Sequence, residues 1–73
     1  MTEVQGFQIG DIDGCEFVFS RIVGHMLVSW DDTVDAGGWG KVRVIYADGS
    51  GKSVTQEEAQ LNIDIGEWMV YRR

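Results

Sequence analysis

The only thiol and the only imidazole in this sequence of 73 residues are Cys15 and His25. Nucleophilic chemistry between them would need the imidazole within about 3 Å of the sulfur and an acid to orient the ring. The local pattern argues otherwise. Cys15 alternates with Phe17 and Phe19 and reads as a small buried hydrophobe, while His25 follows Gly24 and reads as an exposed turn residue. A single cysteine also excludes an internal disulfide and a multi-cysteine zinc site. Acid–base catalysis by paired carboxylates needs a concave site that shifts a pKa, and a chain this short offers little concavity. The expectation is a protein that is not an enzyme and needs no cofactor.

Three stretches have the residue types of a cation or phosphate loop but not the spacing. An EF-hand-type calcium loop starting at Asp31 would use Thr33 and Asp35, yet its sixth position is Ala36 where glycine is required, and its twelfth is Val42 where a bidentate glutamate belongs. The "GDIDG" stretch, residues 10–14, lacks a third ligand and the distal glutamate, and reads as a turn whose aspartates bond nearby amides. "GSGKS", residues 49–53, ends like a phosphate-binding loop, but the pattern demands glycine where Tyr46 stands. Lys52 and Ser53 are therefore expected to be turn residues, and no metal is expected anywhere.

Charge is the stronger signal. From Met1 to Ala36 seven acids (Glu3, Asp11, Asp13, Glu16, Asp31, Asp32, Asp35) face one base, Arg21, whereas from Gly37 to Arg73 five acids meet five bases, so the whole net charge of -6 lies in the first half. Direct contact with nucleic acid or an anionic membrane needs a Lys/Arg stripe that is missing, so neither is expected as a partner. A basic protein surface is. Asp11, Asp13, Asp31, Asp32 and Asp35 all fall in expected turns, and they would form one anionic patch if those turns meet at one end of the fold. Trp39 stands among Gly37, Gly38 and Gly40, where few neighbours can cover its ring. It is either an anchor for the partner or a plug for the open end of the core.

The elements that must position these residues are short strands. Alternation predicts strands at Val4–Ile9, at Cys15–Val23, at His25–Trp30 with Met26, Val28 and Trp30 on one face, and at Lys41–Ala47 with Val42, Val44 and Tyr46 inward. Residues 47–53 read as a hairpin turn made possible by Gly49 or Gly51. Thr55 followed by Glu58 has the capping-box spacing and predicts a short helix over Gln56–Leu61, and "EWMVYR", Glu67–Arg72, predicts a last strand. Trp30 and Trp68, both in strands, are expected in the core or at a sheet edge.

The sum is a single domain, residues 1–73, mainly β with an α+β character from its one helix. It should form a small antiparallel sheet of five to six strands, curled or partly closed as a barrel. With 44% hydrophobic residues and no proline, the chain has the composition of an ordered domain, and it has no apolar stretch of membrane-spanning length. A soluble, cytoplasmic protein is expected.

In size, acidity and lack of a catalytic motif the chain is similar to small phage-encoded inhibitors, including anti-CRISPR proteins and DNA mimics. The similarity is one of profile over the whole chain, and it implies an inhibitor of a nucleic-acid-binding complex in the host cytoplasm. The first expectation is therefore an acidic binding protein that occupies a basic groove evolved for nucleic acid. The second is a small-barrel adaptor that docks a peptide or protein through Trp39, Trp68, Tyr71 and its sheet edges. A homodimer formed through the "WMVY" strand is the third.

Overall fold

The structure is a computed structural model that describes residues 2–31 and 40–73. Among these residues the strands are β1 (Thr2–Glu3), β2 (Cys15–Ser20), β3 (Gly24–Trp30), β4 (Lys41–Tyr46), β5 (Gly51–Thr55) and β6 (Trp68–Arg72), with one α-helix, α1 (Gln56–Asp64), and a 3-10 turn at Ile9–Asp11. The six strands form one antiparallel sheet in the order β1-β6-β2-β3-β4-β5. That sheet is open: β1 and β5 are its two edges, and the expected alternative of a partly closed barrel gives way to a sheet covered on one face by α1 and the 3-10 turn. No described helix is long and apolar enough to cross a membrane.

The core lies between the sheet and this cover. Cross-strand partners share a face, and the ladder aligns Val18 with Met26 and Val70, Val28 with Val44, and Trp30 with Val42. Val42 and Val44 have no exposed surface, Val70 has 2%, and Trp68 is also buried. Ala59 is the one buried residue of α1, and Phe7, Ile9 and Ile12 complete the cluster from below. Trp30 and Tyr46 pack against it, as the alternation of β3 and β4 predicts.

Several expectations are corrected. Val4–Ile9 is not a strand. Pairing stops after Val4 N–H donates to the Val70 carbonyl (2.8 Å), because Gly6 takes a left-handed φ of +66° that extended residues avoid. The alternation that suggested a strand is real, since Phe7 and Ile9 are both buried, but their backbone partner is a side chain. Gln60 of α1 accepts from Ile9 N–H (2.9 Å) and donates to the Phe7 carbonyl (3.1 Å), the two bonds a neighbouring strand would supply. In β2 the faces are reversed from the simple reading: Glu16, Val18 and Ser20 point into the core, while Cys15 is exposed beside Phe17 and the partly buried Phe19.

Lys52 and Ser53 belong to edge strand β5, not to a turn. The turn is confined to Ala47–Ser50 and depends on Gly49 at φ +91°. The helix cap is as expected, with Thr55 Oγ1 accepting from Glu58 N–H at 3.1 Å, but α1 continues to Asp64, three residues beyond Leu61. It stops where Ile65 and Gly66 donate back to Leu61 and Ile63. The "WMVY" strand, β6, lies inside the sheet between β1 and β2, so its backbone is not an edge open for a second copy.

Candidate functional site

Antiparallel pairing of Cys15 with Ser29 brings the start of β2 and the end of β3 to the same end of the sheet. Asp13 and Asp31 flank that end. Asp11 joins them because its carbonyl accepts from Arg72 Nη2 at 2.6 Å, and Arg72 pairs with Thr2 at the end of β6. The loops that hold Asp11, Asp13 and Asp31 thus converge. Asp32, Asp35 and Trp39 lie outside the described residues.

Convergence of loops is not the same as convergence of available charge. The Asp31 side chain is only 1% exposed; its carboxylate bonds the Ser53 hydroxyl and pairs with Arg43 Nη2 at 3.4 Å. Glu16, another acid of the first half, is 4% exposed and clasped by Arg72, whose Nη2 lies 2.5 Å and Nε 3.0 Å from Glu16 Oε1. The hydrogen bond to Glu16 raises the Arg72 pKa still further above its ordinary value, so the guanidinium stays charged throughout. It also lies over the Phe7 ring, 5.3 Å from the centroid, and so ties the 3-10 segment to the sheet. Both acids stabilise the fold and are withdrawn from any partner. Asp48, in the β4–β5 turn, is similarly occupied: the Ser50 hydroxyl and N–H donate to its carboxylate at 2.6 and 2.9 Å and lower its pKa.

The exposed acids are found elsewhere. Residues 8–14 and 56–64 form the layer on the helix side, and together they hold Asp11, Asp13, Glu57, Glu58 and Asp64, all exposed, with no lysine, arginine or histidine among them. Gln60 joins the two segments, and a shallow cleft between them is lined by Gly10, Gln56, Glu57, Leu61 and Asp64. Glu57 and Glu58 suit the positive end of the helix, but Asp64 in the last turn opposes the dipole, with no base nearby on the helix to offset it. Sequence reasoning missed these three acids because the second half of the chain sums to zero charge. The signal was present in "QEEAQLNID", three acids and no base within one short helix.

The other face of the sheet is of opposite character. The register places Tyr71, Phe17, Leu27 and Ile45 in one row across four strands, and Met69, Phe19 and His25 in the next. Phe17 is 43% exposed, and the Phe19 and His25 rings meet edge to face at 5.1 Å. Among the described residues no element covers this face.

Cys15 and His25 share it but not a site. His25 pairs with Phe19 and Cys15 with Ser29, a separation of four residues along the ladder, or roughly 13 Å, far beyond hydrogen-bond reach. Among the described residues no three His, Cys, Asp or Glu side chains are grouped to hold a metal ion. Comparison with known proteins finds no matching family model, no matching curated protein and no matching solved structure.

Proposed function

We propose that the protein is a non-catalytic binding protein that presents the acidic helix-side layer to a basic surface of a nucleic-acid-binding partner and occupies it as an inhibitor. The observation that carries this reading is the set of five exposed carboxylates, Asp11, Asp13, Glu57, Glu58 and Asp64, on two segments that hold no base of their own, while Arg72, the base that touches Asp11, is already bonded to Glu16. Such a surface meets a Lys/Arg-lined groove with complementary potential and displaces phosphates without chemistry.

The test is capture of partners from a lysate of the protein's natural cell, followed by affinity measurement on the retained protein at low and high salt. Raising salt from about 0.05 to about 0.5 M should weaken binding at least tenfold, as screening does for exposed charges. The variant with Asp11 and Asp64 changed to Asn and Glu57 and Glu58 to Gln should lose a similar factor, and the partner's nucleic acid should compete. Binding indifferent to salt and to this variant would reject the reading.

A second reading, an adaptor that binds a peptide or protein through exposed aromatic groups, draws support from Phe17 and Tyr71 on the uncovered sheet face. It predicts binding that survives high salt and is lost on Phe17→Ser.

A further inference from the structure

We propose that the uncovered face of the sheet is a homodimerisation surface, on which two copies stack face to face through the row Tyr71, Phe17, Leu27 and Ile45. The inference shares its surface with the second reading above and is independent of the acidic one.

The chain builds one sheet with a cover on one side only. A sheet that is apolar on both faces is completed by a further layer about 10 Å away, and a second sheet of the same kind provides it. Phe17, between Tyr71 and Leu27 in the row, keeps 43% of its surface exposed.

Charge selects a second copy over a strongly basic partner. The five exposed carboxylates of the helix layer lie on the opposite side of the sheet. The open face has charge of both signs at its margins: Glu3, opposite Tyr71 at the β1 edge, and Lys41 and Arg43 on β4, with Asp31 already paired to Arg43. Of the described surfaces it is the one on which a chain of net charge -6 can approach itself with least repulsion. Stacking there directs both acidic helix layers outward, so the dimer offers two copies of the surface proposed for the partner.

Area sets the strength. Four strands about 4.8 Å apart and three rows about 6.8 Å apart, the two apolar ones and the adjoining row of Cys15, Ser29 and Arg43, span with side-chain margins roughly 20 by 20 Å. A pair of such patches covers about 800 Å², below the standard range of about 1,200–2,000 Å² for stable interfaces. The dimer is therefore weak and reversible.

Sedimentation equilibrium from about 1 μM to about 1 mM, a span suited to weak association, should show the mass rising from the monomer's 8.2 kDa toward twice that value. Added salt should strengthen association, because it screens repulsion between like-charged copies. The acidic reading predicts the reverse for partner binding, so the two can fail separately. Phe17→Lys should weaken the dimer at least ~10-fold while a dilute sample melts as before, and Leu61→Lys, on the helix side, should not. Should Phe17→Lys fail to fold, amide shifts of the parent protein followed against concentration still decide: they should move along β2, β3 and β6 and stay fixed in α1. A monomer throughout the range, equal weakening by both variants, or concentration-dependent shifts confined to α1 would overturn the proposal. So would a monomer that takes an unrelated protein on this face.

Discussion

Val44 and Ile45 are adjacent in β4 and share one ladder, opposite Val28 and Leu27 of β3. Val44 has no exposed surface, whereas Ile45 is partly exposed with Leu27 and Phe17 beside it. The backbone and the residue chemistry are nearly the same on the two sides. What differs is the cover: Ala59, Ile9, Phe7 and Ile12 close the Val44 side, and no described element closes the other. Burial here is set by the third layer and not by how apolar each strand face is, and β2 makes the point most plainly. Its covered side holds Glu16, Val18 and Ser20, and its open side Cys15, Phe17 and Phe19. The larger hydrophobes are on the outside because the polar pair inside is fully partnered, Glu16 by Arg72 and Ser20 by the N–H groups of Ile22 and Val23 at 3.1 and 3.2 Å.

The sharpest way to break this comparison is to truncate one residue on each side. Val44→Ala removes two methyl groups from a site with no exposed surface and should cost about 2 kcal/mol, transfer and cavity terms together. Phe17→Ala removes a far larger side chain, yet in a dilute monomer it should cost well under that. Denaturant melts at about 1 μM, the lower end of the range expected for dimer dissociation, measure both. A Phe17→Ala loss as large as that of Val44→Ala would mean that the open face is closed by residues outside the described ones.

Strands β2, β3, β4 and β6 were legible in the sequence because alternation is strong there, and so was the Thr55 cap. Three features were not, each for a physical reason. The Phe7 and Ile9 alternation imitates a strand, and only the fold reveals that a glutamine side chain takes the place of the neighbouring backbone. The inward face of β2 is chosen by Arg72, which is 56 residues from Glu16 in the chain. The acidic surface could not be located by summing charge along the sequence, because folding withdraws Glu16 and Asp31 into ion pairs and joins Asp11 to a helix from the electrically neutral half. Whether the acidic turns meet was left open by the sequence, and it is the β2–β3 pairing that brings Asp13 and Asp31 to one end.

A smaller effect tests how the cover is held. Thr55 ends β5 and caps α1, so the helix that closes the Val44 side begins at this residue. Thr55→Ala leaves the Glu58 N–H without its acceptor and should cost about 1 kcal/mol. Because Gln60 fastens α1 to the Phe7–Ile9 segment, hydrogen exchange should accelerate in α1 and at Ile9 N–H together, with β2 and β3 little changed. Exchange that rises in α1 alone would show that the two parts of the cover are not coupled through Gln60.

The smallest expected change in stability belongs to Cys15, and it tests the strand phase directly. If the three-residue pattern Cys15, Phe17, Phe19 faced the core, the thiol would be protected and would react only on unfolding. The structure instead exposes Cys15 at the margin of the open face, in line with Ser29 and Arg43. A thiol reagent should label it stoichiometrically in the native protein at the rate of an ordinary solvent-exposed thiol, with no measurable loss in melting temperature. Reaction limited by the unfolding rate would reverse the two faces of β2, and with them the assignment of Phe17 to the uncovered side. Because Cys15 lies at the rim of the apolar rows and not at their centre, a bulky label there should also slow dimer formation less than Phe17→Lys does, which locates the middle of the contact on Phe17.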